Sequence, residues 1–127
     1  MLFTGEKFKP QKDRYSKKRG PSRFLYIACG ECETPTMVYQ KDGPGRLHRY
    51  YTDRVVWPPE LVTTLAEVTS DTIKGAGALA CTACENVLGL PMIYEPENRP
   101  AFSAVPGTVH AYRSAEQAQA RAGKQPI

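Results

Sequence analysis

Every cysteine in the chain falls in one of two Cys-x-x-Cys pairs, Cys29-Gly30-Glu31-Cys32 and Cys81-Thr82-Ala83-Cys84. Two residues between thiols is the spacing at which a tight turn presents both sulfurs. Two such turns supply the tetrahedral four-thiolate shell that saturates Zn(II). A disulfide framework is the competing reading, but it belongs to short secreted chains, and the N-terminal residues do not read as a signal peptide with an apolar core. Iron in a rubredoxin-like arrangement is the minority metal, since thiolates suit both. With no open coordination position, the single zinc expected here is structural and activates no water. Such a metal contributes on the order of 10 kcal/mol or more to folding.

The pairs head an internal repeat. Cys29-x-x-Cys32-Glu33 runs on through Pro35 to Met37-Val38-Tyr39-Gln40, and Cys81-x-x-Cys84-Glu85 runs on through Pro91 to Met92-Ile93-Tyr94-Glu95. Each copy reads as a knuckle followed by a strand of Met, a β-branched residue and Tyr. Neither half completes a coordination shell alone, so the expected product is one cooperative domain with a pseudo-twofold sheet core.

At 127 residues and 41% hydrophobic content, the chain suffices for one modest core stiffened by metal. No apolar run approaches the roughly 18 residues a membrane span needs, and cysteines in metal spacing favour a reducing, cytoplasmic compartment. The net charge of +4 hides an asymmetry. Residues 1–24 hold Lys7, Lys9, Lys12, Arg14, Lys17, Lys18, Arg19 and Arg23 against Glu6 and Asp13, a net of +6, and the remainder has a net of −2. The excess positive charge sits on one arm.

That arm has few aliphatic residues, shows no helical or strand period and ends in Lys17-Lys18-Arg19-Gly20-Pro21. It reads as a flexible segment in which Phe3, Phe8 and Tyr15 interleave with lysines, a composition that neutralises phosphates and offers rings to bases. The bland alternatives are a solubilising tail or an extension that packs on its own domain. Phe24 to Ala28 is an apolar strand leading to the first knuckle. Lys41-Asp42-Gly43-Pro44-Gly45 reads as a hairpin tip, with Arg46 to Tyr51 as the return strand carrying Arg46, His48 and Arg49, and Arg54 just beyond. Val55-Val56-Trp57 is a short strand, and Pro58-Pro59-Glu60 starts a helix whose Leu61, Leu65 and Val68 form a core stripe under Trp57. Residues 70–77 read as a loop. Ala101-Phe102-Ser103 and Thr108 to Tyr112 read as a last strand pair across Pro106-Gly107, and Ser114 with Gln117 forms a capping-box pattern before a marginal Ala/Gln-rich helix.

Catalytic signatures are missing. There is no Gly-rich phosphate loop after a strand, no Gly-x-Ser-x-Gly elbow, no His-Glu-x-x-His, and no cysteine left over as a nucleophile. His48 and His110 are assigned no role, because four cysteines fill the shell. Glu33 and Glu85 are equivalent under the repeat and look structural. The two pairs, 48 residues apart across mostly strand-forming sequence, resemble those of the β-tent proteins and, more distantly, the zinc ribbons. The resemblance covers roughly residues 24–112 and carries over only Cys29, Cys32, Cys81 and Cys84. The spacing is similar to that of B-type methionine sulfoxide reductases, but their catalytic cysteine has no counterpart. The three-tryptophan cage of the thalidomide-binding β-tent type has only Trp57 here.

The expected architecture is therefore mainly β: a small zinc-stabilised antiparallel sheet, β-tent or zinc-ribbon-like, with one short helix between the two knuckle hairpins. Its divisions are a basic flexible arm (1–22), the zinc-binding domain (23–113) and an Ala/Gln-rich tail (114–127). The expected function is a non-enzymatic binding module that engages RNA or a ribonucleoprotein, ribosomal RNA among the candidates, through Lys7 to Arg23 with Arg46, Arg49 and Arg54 as secondary contacts. A basic arm of this kind suits RNA better than the DNA major groove, where a recognition helix is expected. Two rivals stand beside it. One is an aromatic small-molecule or enzymatic pocket from Tyr50, Tyr51, Trp57, Tyr94 and Phe102 with Arg99 or His110 as anchor. The other is a protein-protein adaptor.

Overall fold

The computed structural model of the chain describes Phe3 and residues 7–118. The first residues of the arm and residues 119–127 of the Ala/Gln-rich segment lie outside the described residues. In chain order the elements are α1 (Arg14–Arg19), β1 (Ser22–Cys29), β2 (Pro35–Asp42), β3 (Arg49–Tyr51), β4 (Val55–Trp57), α2 (Pro59–Ala66), β5 (Leu79–Ala80), β6 (Val87–Tyr94), β7 (Arg99–Ala104) and β8 (Val109–Tyr112). Short 3-10 turns at Thr52–Arg54, Ile73–Gly75 and Glu95–Glu97 join some of them. No helix among the described residues is long and apolar enough to cross a membrane.

The strands form two antiparallel four-stranded sheets, ordered β4-β2-β1-β8 and β3-β7-β6-β5. Each sheet contains one knuckle hairpin: Cys29 to Cys32 lies between β1 and β2, and Cys81 to Cys84 between β5 and β6. The repeat thus maps onto the sheets, with β1 matching β5 and β2 matching β6. Between the sheets sits a core of Ile27, Met37, Tyr39, Tyr50, Val55, Leu65 and Phe102. The side chains of Tyr39 and Tyr50 meet edge to face at 5.5 Å, a geometry that the ring quadrupoles favour. Leu61 and Val68 pack against this core beside buried Leu65, as the helical stripe predicts.

Three local expectations change. Residues 46–51 do not return beside β2. Only Arg49–Tyr51 is strand, and it pairs with β7 in the other sheet. Likewise β7 and β8 do not form a hairpin across Pro106-Gly107, because β7 pairs with β6 while β8 pairs with β1 through Tyr26↔Tyr112 and Ala28↔His110. Both connections cross between sheets, and turn residues alone cannot tell such a crossing from a hairpin. Within the segment read as a plain loop, Ile73 is completely buried in the core. At the far end, the Gln117 N–H donates to Ser114 Oγ at 3.0 Å, the N-cap bond the sequence pattern predicts.

The arm carries more order than its composition implies. Asp13 caps α1, accepting from the N–H groups of Tyr15 and Ser16 at 3.0 and 3.1 Å. Upstream, the Gln11 N–H donates to Gln40 Oε1 at 2.7 Å, and Gln40 Nε2 donates back to the Gln11 carbonyl at 3.0 Å. Past the helix, Gly43 donates its N–H to the Pro21 carbonyl at 2.8 Å. A Cβ at Gly43 would stand 2.4 Å from the Arg19 carbonyl, and its φ is +79°, so only glycine lets the chain pass this close.

Two enclosed arginines clamp the arm. Arg54, with a fully buried side chain, donates to Asp13 Oδ1 at 2.7 Å and to Asp42 Oδ2 at 2.8 Å. Arg99 donates to Asp53 at 2.9 Å and Glu97 at 3.1 Å. Its guanidinium lies between two rings, 3.9 Å from the Tyr15 centroid and 3.8 Å from that of Tyr51. Arg19 closes the set by donating to Glu97 at 2.8 Å. A segment too polar to bury itself is thus held by charges that the domain supplies.

This network sets a pH dependence. The Arg54 guanidinium beside Asp13 is the main reason its carboxyl falls to about 2. Burial resists ionisation of Asp42 and Glu97. Hydrogen bonds from Ser22, Arg54 and Gln40 to the one, and from Arg19 and Arg99 to the other, still hold both below the usual range. Depressed carboxylates stabilise the fold fully above their unfolded values and lose that contribution as pH falls through the folded ones. The stability difference between wild type and Asp13→Asn, read from urea midpoints, is therefore expected to be constant above about pH 5 and to shrink progressively from about pH 4 towards 2. A difference that grows with acid overturns this assignment.

Candidate metal centre

The two knuckles share the backbone hydrogen bonds of their turns. The Cys29 N–H donates to the Thr34 carbonyl and the Cys81 N–H to the Asn86 carbonyl, both at 2.9 Å. Inside each, Glu33 N–H donates to the Cys29 carbonyl and Glu85 N–H to the Cys81 carbonyl, again at 2.9 Å. Glu33 and Glu85 both take left-handed conformations, φ 62° and 65°, which turn the chain back into the next strand. The equivalence of these glutamates under the repeat is therefore one of backbone geometry.

This turn aims backbone donors at sulfur. Cys29 receives N–H groups of Cys32 and Glu31, and Cys81 those of Cys84 and Ala83. Cys32 and Cys84 receive those of Thr34 and Asn86. Hydrogen bonds to a thiolate favour the charged form that binds metal. The four Sγ atoms all lie within 4.8 Å of one another, with Cys29–Cys84 and Cys32–Cys81 at 3.6 Å. Tetrahedral bonds of about 2.3 Å place sulfurs roughly 3.8 Å apart, whereas a disulfide needs about 2.05 Å. All four cysteines are free, and their arrangement fits one four-coordinate ion.

Without a cation the thiols oppose one another. The side chain and backbone of Thr34 bring Cys32 down to about 6. Cys84 goes the other way: the Asn86 N–H favours its thiolate, yet burial and the sulfurs of Cys29, Cys32 and Cys81 push it up to about 12. Four negative charges this close do not coexist unneutralised. A divalent ion removes the conflict and displaces the remaining protons, so binding releases protons. Cys29 and Cys81 are buried, whereas Cys32 and Cys84 are exposed, so the centre lies at the surface with its inner two ligands rooted in the core.

Two supporting residues went unread in the sequence. Thr34 Oγ1 lies 3.1 Å from Cys32 Sγ, and Asn86 Nδ2 reaches Cys29 Sγ at 3.6 Å. Both occupy the position two residues past the second cysteine of their copy, so aligning the repeats would have found them. The Thr108 carbonyl links the halves by accepting from Gly30 N–H at 2.7 Å and from Asn86 Nδ2 at 3.3 Å. A Cβ on Gly30 would meet that oxygen at 2.9 Å, which accounts for glycine there where the second copy has Thr82. Glu33 ties the first knuckle to β8 through His110 Nε2 at 3.1 Å. His110 thus has a contact that the sequence did not assign.

The basic residues fall into three sets. Lys7, Lys9, Lys12, Arg14, Lys17, Lys18, Arg23 and Arg46 are exposed. Arg19 and Arg49 are half-buried, Arg19 in its ion pair with Glu97 and Arg49 stacked 4.4 Å from the Tyr94 centroid. Arg54 has no exposed surface and is committed to Asp13 and Asp42, which removes it from the contact set the sequence assembled. The aromatic residues disperse as well. Tyr50 and Phe102 belong to the core, Tyr51 and Tyr94 pack edge to face at 5.9 Å, and Trp57 lines a separate apolar cavity.

Comparison with known protein families, with curated proteins and with solved structures gives no match to this chain.

Proposed function

We propose that the chain is a non-enzymatic, zinc-stabilised module that binds RNA through the exposed cations of its N-terminal segment. The observation that carries the reading is the separation of charge. Residues 1–24 hold a net +6, and Lys7, Lys9, Lys12, Arg14, Lys17, Lys18 and Arg23 all face solvent. Asp13 and Asp42 are spent on the internal Arg54, and Glu97, held by Arg19 and Arg99, reaches only Lys18 of that face, at 3.7 Å. Zinc is preferred over iron because two Cys-x-x-Cys turns closing a four-thiolate shell are the usual structural zinc arrangement, although thiolates suit both metals.

Deleting the arm is a poor test, since it also strips Gln11, Asp13 and Arg19 from the core. A full-length variant with Lys7, Lys9, Lys12, Lys17 and Lys18 all changed to Gln is the better one. On single-stranded RNA it is expected to bind more weakly and to flatten the log-log salt slope by about 0.7 per lost phosphate contact, up to roughly 3.5. Unchanged affinity and slope retire the RNA reading.

One observation favours a second reading. An apolar cavity of about 630 Å³, lined by Pro35, Met37, Trp57, Leu61, Leu79 and Leu88, has the size of a small-molecule site. Ligand binding there would be indifferent to the five lysines.

A further inference from the structure

A second cavity, of about 260 Å³, opens where the end of α1 meets β2 and the segment leading into β3. It is below the roughly 300–1,000 Å³ of sites that take whole drug-sized ligands, so it fits a group rather than a cofactor. Arg19, Lys41, Arg46, His48 and Arg49 line it, and Asp42 is the only carboxylate among its lining residues. Asp42 is already engaged: it accepts from Ser22 Oγ at 2.7 Å, Gln40 Nε2 at 2.8 Å and Arg54 Nε at 2.8 Å. Four formal cations thus face one carboxylate that is already satisfied.

These cations keep donors in hand. Lys41 is buried, and among the described residues its Nζ meets the carbonyls of Gly43 and Pro44, at 3.1 and 3.2 Å. An ammonium has three N–H groups, so one is left over. Arg19 spends Nη2 on Glu97 and Tyr51, while its Nη1 is buried with no hydrogen-bond partner among the described residues. Arg46 and Arg49 form no ion pair among the described residues. Burial and the adjacent Arg23 hold the Lys41 ammonium below its ordinary range, a tension that an entering anion relieves. A buried donor without an acceptor is rare and costly, and Arg19, which carries one, lines this cavity together with the partly satisfied Lys41.

We propose that this cavity is a binding site for a single phosphate group, carried by a free nucleotide or inorganic phosphate or by the terminus of a nucleic acid strand. Arg46 and Arg49 engage its outer oxygens as charge-assisted donors, and Lys41 supplies charge from the floor. The proposal does not require the RNA reading, because an isolated phosphate suffices.

The test is calorimetry on the full-length, metal-loaded chain at constant chloride, with inorganic phosphate, adenosine 5′-monophosphate, adenosine, and one tetranucleotide in its 5′-phosphorylated and 5′-hydroxyl forms. Saturable binding of a phosphorylated probe over its phosphate-free counterpart is expected. Arg46→Gln, at an exposed residue, is expected to weaken it about tenfold with unchanged melting, and Arg46→Gln/Arg49→Gln by up to about a hundredfold, with the loss of Arg49 stacking on Tyr94 read separately from the melt. Lys41→Met adds to that loss if it folds, and Arg46→Gln alone keeps the test decisive if it does not. Preference for the phosphorylated tetranucleotide names a strand terminus as the source, and preference for the mononucleotide or phosphate names a small molecule. Equal affinity with and without phosphate, or full binding by the double variant, overturns the site. The lysine-to-Gln variant of the RNA test leaves this pocket intact, so the two readings fail separately.

Discussion

Cys29→Ser is expected to abolish both metal retention and cooperative folding. The residue is completely buried, it ends β1, and its sulfur stands 3.6 Å from that of Cys84 on the opposite hairpin. Four-thiolate zinc sites contribute on the order of 10 kcal/mol or more at neutral pH, comparable to the whole net stability of about 5–15 kcal/mol that such domains possess. Metal stoichiometry by mass spectrometry and thermal melts by circular dichroism check it together. Cys84→Ser is expected to be milder, because that ligand is exposed and water reaches the gap. A Cys29→Ser protein with full metal content and wild-type melting removes the four-thiolate site. Chelation of the wild type should reproduce the Cys29→Ser state, and it separates loss of metal from loss of a buried side chain.

The second large effect is expected at Arg54. Its guanidinium has no exposed surface and holds Asp42, whose side chain is only 5% exposed. Removing one partner of an enclosed pair leaves the other charged and desolvated, typically at about 3–5 kcal/mol. Arg54→Ala is therefore expected to lower Tm by roughly 10–20 °C. Arg54→Met keeps the aliphatic stem, and combining it with Asp42→Asn is expected to recover part of the loss, since no lone charge then stays inside. If the single and double variants melt together, charge burial is not what the arginine relieves. A drop under 1 kcal/mol for Arg54→Ala would make the network decorative.

The two cysteine pairs and both knuckle hairpins were legible because they are local. Cys-x-x-Cys is a backbone turn, and the strands it joins are contiguous apolar runs. The partition into two sheets was not legible. Residues 41–45 and 105–108 have the same turn composition whether the next strand returns or crosses, and what decides is the burial of Tyr50 and the pairing of Ala28 with His110. The order of the arm was hidden for a related reason. Asp13, Gln11 and Tyr15 look solvated until their partners Arg54, Gln40 and Arg99 are brought near by the rest of the fold. Charge read along the chain found the cations but not which of them, Arg54 above all, the domain would consume.

That the arm is held from a distance has a kinetic side. Arg54 is 41 residues beyond Asp13, and Glu97 is 78 residues beyond Arg19. Contacts of such sequence separation close late, because loop-closure entropy must be overcome before they form. During synthesis the lysines emerge before Arg54, Glu97 and Arg99, so the clamp on their segment is complete only once residue 99 has been made. Until then this cationic stretch lacks its contacts with Glu97 and Arg99, and an anion that meets the growing protein meets it before the finished surface exists.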